Sequence, residues 1–465
     1  MLRMQAVQVE QLWDEVLPVQ VRVLPADLAV IDGLLDDPVV LAPIARFWQA
    51  DAEARETLGV HRGRPTIAVQ SYVRIMIVRQ RTGWGYETAM REISDSLHLR
   101  RFCRIAIDAR VPDESTVRKL TRRLGPEVVA EISRMVIAKA ARETRFVCRA
   151  VRVDSTVVEA DVRYPTDSGL ASDAVKRLAR EGARAQGALA DRGAGVRDRS
   201  RAVGRRLREL GRAVGRRTGD AKEEVLRITG QCGELAASSV REARRLAGRL
   251  RQAARGRGAQ AKLRAAERLE AAAGLGERIA EQIRKRLAGE KITGRMVSLA
   301  DPDARPIRKG KAGKSTEFGS VHQIAEITPH TRKGARGFVL PPASGEGNPG
   351  ENTLLDQTVK ELQDLGLTPK EFAFDGGFRP HATRDTLAPL EPDTVFIAGR
   401  PHKRSRRSQR RLAGYRTGCE GRISHLKRGH GLRRSRLRGR PGREIHVGWA
   451  ALSYNLQTYT HYQQT

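Results

Sequence analysis

Over residues 1–140 the apolar positions recur at helical spacing. In QSYVRIMIVRQRTGWGYETAMREISDSLHLRRF, residues 70–102, that period is broken at Gly83-Trp84-Gly85, and a second helix ends near Leu97. The pattern predicts helix, tight turn, helix. In VPDESTVRKLTRRLG, Pro112, Asp113 and Ser115 are start signals for a further helix, and Gly125 is its stop. An all-α N-terminal domain over 1–140 is expected. Its helix-turn-helix spacing suits DNA binding or assembly and equally a plain helical bundle.

From Arg145 the period shortens. VCRAVRVDSTVV, RMVSLADPDA, FGSVHQIAEIT, GFVLPPA, EFAFDGG and DTVFIAG are short Val- and Phe-rich runs that predict strands, with helices at 351–364 and after Glu420. Strands mixed with helices argue for an α/β domain over 145–465. Residues 171–290 interrupt it with a stretch rich in Ala, Arg and Leu. Val175, Leu178, Ala185, Leu189, Val196 and Val203 fall on alternating three-four spacing, resumed at Leu207, Leu210 and Val214. After Thr218-Gly219-Asp220 a second periodic stretch runs through Leu246, Leu250, Leu263, Leu269, Ile279, Ile283 and Leu287. This predicts a long antiparallel helical hairpin inserted into the α/β domain. Gly182, Gly193, Gly195, Gly204, Gly211 and Gly215 each weaken it by about 1 kcal/mol relative to Ala. A partly disordered basic arm is the plainer alternative.

Charge sharpens this division. The chain has 465 residues with 86 Lys+Arg against 54 Asp+Glu, net +32. Residues 171–290 carry net +15 and residues 400–443 net +16, so nearly all of the excess sits in two segments. Such local charge reads as a pair of polyanion-contacting surfaces. Cys103, Cys148, Cys232 and Cys419 lack CxxC spacing, which argues against zinc and against a disulfide framework. No signal peptide and no apolar run of membrane-spanning length is evident, so a soluble cytoplasmic protein without a membrane partner is expected.

Three acids stand out in this setting. Asp154 in VRVDSTVVE and Asp375 in EFAFDGGF end segments that read as strands, and Glu420 in YRTGCEGRISHLKR opens a segment that reads as a helix. Strand alternation sends Val151 and Val153 one way and Asp154 the other, with Arg152 as a charged intruder on the Asp154 side. Phe372 and Phe374 oppose Asp375 in the same manner, and Gly376-Gly377 is expected to turn sharply and leave room for metal or phosphate. Arg416, Glu420 and Lys427, at offsets of four and seven, share one helical stripe, although Arg416 is expected just before the helix start. Glu159, Asp161 and Asp167 compete with Asp154 for the first role. Carboxylate oxygens are hard ligands for divalent cations, and the surrounding Arg and Lys would hold a polyanion. Taken singly, each aspartate reads first as a turn or strand-end residue and Glu420 as a partner in surface salt bridges with Arg416 and Lys427; the combination is what points to a site. His322, on FGSVHQIAEI, reads first as a structural histidine. The Gly-rich ASGEGNPGEN reads as a loop without the P-loop pattern.

These motifs together resemble bacterial insertion-sequence transposases of the DDE type. VDSTVVEADVRYPTDSG is similar to their first-Asp motif, FAFDGGF to the second, and RTGCEGRISHLKRGHG to the third. The third departs from the family's pattern of Tyr, two residues, Arg, three, Glu, six, Lys: Ala413 stands where the Tyr is expected, and Tyr415 lies two residues on. The stretch from Gly63 to Leu120 is similar to the N-terminal domain of these transposases. The resemblance implies an α/β, ribonuclease-H-like mixed sheet with a long helical insertion, preceded by the all-α domain. It implies Asp154, Asp375 and Glu420 as catalytic metal ligands for two Mg²⁺ or Mn²⁺ ions about 3.5–4 Å apart. Arg416, Lys427, Arg422, Arg428, Lys403, Arg404, Arg406 and Arg407 are the expected DNA-binding residues. The implied partners are double-stranded DNA, as terminal inverted repeats and target, and a second copy of the chain in a homodimer on DNA. A degenerate DNA-binding relative without catalysis and a metal-dependent nuclease of the same fold are the competing readings.

Overall fold

The computed structural model describes residues 16–57, 67–189, 195–216, 219–256, 258–308, 316–345, 347–401 and 404–464. Gly63 and Lys403 lie outside the described residues. The chain divides into two compact units, one of residues 1–161 with 320–465 and the other of residues 162–319.

In the first unit, the N-terminal helices share one hydrophobic core with the strands, so the boundary expected near 140 does not separate two bodies. Helix Val69–Thr82 is buried from Val69 through Gln80, and Tyr72 meets Trp449 of helix Gly439–Gln464 edge to face. Helix burial all round is the mark of a bundle centre. Gly83, at φ 70°, ends it in the left-handed conformation with its N–H on the Arg79 carbonyl, and helix Tyr86–Asp95 follows. Arg74 is fully buried within this helical layer and is neutralised by Asp32 and Asp36. Gly125, at φ 74°, breaks Glu114–Glu143 into two helical halves where the stop was expected.

The sheet of this unit starts from β1 (Ala150–Ala160). After β2 (Arg305–Arg308), which belongs to the second unit, β3 (Thr316–Thr328) lies on one side of β1. The short β4 (Phe338–Val339) and β5 (Ala343–Ser344) pair antiparallel with β3. On the other side, β6 (Glu371–Phe374) pairs parallel with β1, and β7 (Thr394–Ile397) pairs parallel with β6. β8 (Arg434–Ser435) joins the far end of β1. Val151, Val153, Phe372 and Phe374 face the large core. Ala150 and Ala373, on the opposite face, pack with Leu412 and Tyr415 of helix Arg406–Gly429.

That helix starts earlier than the sequence suggested. Ser405 accepts a hydrogen bond from the Ser408 N–H and caps it, so the arginine-rich stretch read as a loop is helical from Arg406. Glu420 and Arg416 therefore both lie well inside it.

The second unit departs from the expected hairpin. Four helices, Asp167–Gln186, Ser200–Val214, Ala221–Gln252 and Ala259–Leu287, build it. The last two pack closely on each other along their lengths, and the other two pack on them. The core is Ala-rich, and at Gly233 and Gly276 an added Cβ would press on Ile283 and Val240, each at 2.9 Å. Close helix approach thus requires small residues there, and the three-four spacing of the first stretch serves two helices rather than one long arm. β2 (Arg305–Arg308) pairs antiparallel with the first residues of β3.

Candidate active site

The pairing of β1 with β6 matches Val153 to Phe374, so the next step in the same register brings Asp154 beside Asp375. Asp154 lies in the middle of its long strand, not at its end, while Asp375 directly follows β6. Both belong to the sheet face covered by helix Arg406–Gly429, and that helix delivers Glu420. Arg416 links the two outer acids: one guanidinium nitrogen contacts Asp375 at 3.1 Å and the other contacts Glu420 at 3.0 Å, one turn along the helix. Ser155 N–H donates to Asp154 at 2.7 Å. Burial pushes the Asp154 carboxyl above its ordinary range; the neighbouring Asp375 and Glu420 charges add to the rise, against the Ser155 hydrogen bond and Arg416.

A fourth acid was not read from the sequence. Glu351 begins helix Glu351–Asp364, and its Oε2 is buried without a hydrogen-bond partner. Burial raises its pKa, with contributions from Asp154 and Asp375. Gly377 explains itself here, because a Cβ would come within 2.4 Å of that Glu351 oxygen. Neither Gly376 nor Gly377 has a positive φ, so the pair makes room rather than supplying a left-handed turn. An acid at a helix start after a glycine-rich loop was the available signal, and it is too common to single out Glu351.

The competing acids are engaged elsewhere. Glu159 and Asp161 are ion-paired to Arg434, and buried Asp167 is held by Arg286, Arg295 and Gln282. His322 is buried and bonded through Nε2 to Ser320, with its pKa pushed down to about 3 by burial.

Arg152 and Arg422 share one buried carboxylate. Glu326, fully buried on β3, accepts from Arg152 at 2.8 Å and contacts Arg422 at 2.9 Å, and its Oε1 also takes the Gly337 N–H. Arg422 lies over the Tyr454 ring at 4.6 Å and Arg152 over Tyr415 at 5.0 Å. Arg422, expected among the DNA-contacting residues, is thus a buried cation committed to Glu326. The Arg152 intrusion on β1 is the other half of this cluster, and Gly418 admits it, since a Cβ there would overlap the guanidinium. Tyr415 is a core residue whose hydroxyl meets Thr328 at 2.6 Å. Together these contacts fix the helix carrying Glu420 against β1 and β3.

Of the remaining expected contact residues, Arg404, Arg406, Arg407 and Arg428 are exposed and Lys427 is half-buried. Arg404 donates to the Asp393 carbonyl at 3.0 Å.

Among the described residues, no three His, Cys, Asp or Glu side chains stand close enough together to hold a metal ion as they are. The donor chemistry nonetheless suits a hard divalent cation: carboxylates from β1, the end of β6 and the facing helix, with the orphaned Glu351 oxygen beside them. Arg416 supplies positive charge between Asp375 and Glu420.

Residues 26–123 match the family model described as Transposase domain (DUF772), and residues 294–456 match the model described as Transposase DDE domain. The second match includes Asp375 and Glu420 and begins after Asp154. No curated protein and no solved structure matches the chain significantly.

Proposed function

Because this chain belongs to the insertion-sequence transposases of the DDE type, we propose that it cleaves and joins the DNA ends of its element, with Asp154, Asp375 and Glu420 as metal ligands. The observation that carries this reading is the register of β1 and β6, which makes Asp154 and Asp375 neighbours beneath the helix that bears Glu420. The strand arrangement, with β3 on one side of β1 and parallel β6 and β7 on the other, supports a ribonuclease-H-like catalytic fold.

Two Mg²⁺ or Mn²⁺ ions, when bound, would activate a water or DNA 3′-OH and stabilise the leaving oxygen of an in-line displacement. The protein's own part is positional. β1 and β6 hold two carboxylates at strand separation, and the buried Arg152–Glu326–Arg422 cluster sets the depth and rotation of the helix that presents the third. Arg416, Lys427, Arg428, Arg404, Arg406 and Arg407 bind backbone phosphates around the site. The substrates are double-stranded terminal inverted repeats and target DNA, engaged by a homodimer so that two ends meet.

Asp154→Ala, Asp375→Ala and Glu420→Ala should each abolish end cleavage while leaving duplex binding in EDTA unchanged, since none removes a basic contact. A second readout is the rise in melting temperature produced by Mn²⁺, which each substitution should diminish. Near-parental cleavage by any one variant would remove that residue from the site.

A further inference from the structure

Helix Ser200–Val214 in the second unit presents a stripe of arginines. Arg201, Arg205, Arg208 and Arg212 follow spacings of four, three and four, so they fall within an arc of about 60°. All four are exposed, as is Arg216 just beyond the helix end. The opposite flank is already used: Val203 and Ala213 are buried against the neighbouring helices.

Several other arginines of this unit are held in ion pairs. Arg199 is paired with Glu242, Arg227 with Glu224 and Arg244 with Glu277. On the stripe, Arg201 interacts with Asp198 and Arg216 with Glu224. Among the described residues, Arg205, Arg208 and Arg212 have no acidic partner.

A second observation concerns the backbone beside the stripe. Gly204 and Gly211 flank it inside the helix, each costing about 1 kcal/mol relative to Ala. Neither has a packing reason to be small: a Cβ at Gly211 would meet nothing within 4 Å, and one at Gly204 only Arg208 Nη1 at 3.9 Å. Bare backbone on an exposed face permits close approach by something outside the chain.

We propose that this face is a docking surface for the phosphate backbone of duplex DNA, with Arg205, Arg208 and Arg212 as its central contacts and Gly204 and Gly211 as the place where the duplex comes nearest. The choice of DNA rests on the transposase reading. The helix, about 22 Å long, spans roughly six phosphate steps along one strand. An anionic membrane would require a broad apolar flank free to insert, whereas Val203 and Ala213 are buried in the unit's core, Leu207 and Leu210 are half-buried, and of the helix's large apolar side chains Val214 alone is exposed.

The test uses the full-length protein, a duplex of arbitrary sequence three helical turns long, and fluorescence anisotropy across a NaCl series in EDTA. Replacing Arg205, Arg208 and Arg212 together by Gln should make the slope of log K against log salt shallower by about 2.7, and Arg208→Gln alone by about 0.9. Replacing the three by Lys should restore the slope, and Gly211→Leu should weaken binding while leaving the slope near the parental value. Unchanged melting temperature shows that the variants fold; if the triple Gln variant does not, the Arg208→Gln and Gly211→Leu measurements decide. An unchanged slope in the Gln variants overturns the proposal. So does binding to phosphatidylserine vesicles that the triple Gln variant loses while its DNA binding persists. Failure of the transposase reading would show separately, as cleavage retained by Asp154→Ala, because the slope is measured without catalysis.

Discussion

Two arginine-rich helices of this protein put the same side chain to opposite uses. Helix Arg406–Gly429 lies against a sheet that presents carboxylates, and three of its arginines turn toward acids: Arg411 to Glu371, Arg416 to Asp375 and Glu420, Arg422 to Glu326. Helix Ser200–Val214 has no such sheet opposite its stripe, and Arg205, Arg208 and Arg212 stay in solvent. Charge density in the sequence therefore measures affinity for polyanions only where no facing acid claims the guanidinium first.

The largest effect expected from this contrast is in DNA affinity. If the 400–443 segment neutralises about six phosphates through its exposed arginines and lysines, the slope of log K against log salt is about −5, so a fourfold rise in salt weakens duplex binding about a thousandfold. A flat salt response in anisotropy titrations would remove the electrostatic role of that segment.

Next in size is the buried half of the same helix. Glu326→Ala leaves Arg152 and Arg422 without their shared carboxylate and should cost about 3–5 kcal/mol in urea denaturation. A loss below about 1 kcal/mol would mean that water reaches the pair and that the helix is held by its apolar contacts instead.

Arg416→Ala should separate the two halves of the helix. Its partners are largely solvated, Asp375 being 46% and Glu420 60% exposed. Stability should therefore change by no more than about 1 kcal/mol, whereas end cleavage should fall. A stability loss as large as that of Glu326→Ala would place Arg416 with the structural arginines.

The smallest effect concerns Asp154. Its folded pKa is raised, so the folded state carries a penalty when the carboxylate is ionised, and this penalty disappears as pH falls below the unfolded value of about 3.9. Asp154→Asn should accordingly be slightly more stable than the parent at neutral pH, with the difference closing under acid conditions. Denaturation midpoints across pH check this, and a variant less stable at neutral pH would contradict the sign.

The sequence was legible where a residue's role depends on near neighbours. Alternation along VRVDSTVV and EFAFDGG marks the face of Asp154 and Asp375, and the four-residue step from Arg416 to Glu420 marks their ion pair. Legibility failed where the partner is distant. Arg422 looked like one more basic contact because its claim on Glu326 spans nearly a hundred positions. Glu351 looked like an ordinary helix-start acid because its relation to Asp154, Asp375 and Gly377 exists only after strand pairing.

By itself, then, the sequence determined the local geometry: which strands bear acids, which helices carry arginine, and where glycine or a capping serine interrupts a period. Only the tertiary structure decided which of those charges would be buried. Removing a guanidinium from water is costly unless a carboxylate is waiting in hydrogen-bonding position, and that carboxylate must be supplied by another part of the fold. Glu326 supplies it for Arg152 and Arg422, while for Arg205, Arg208 and Arg212 no described acid does.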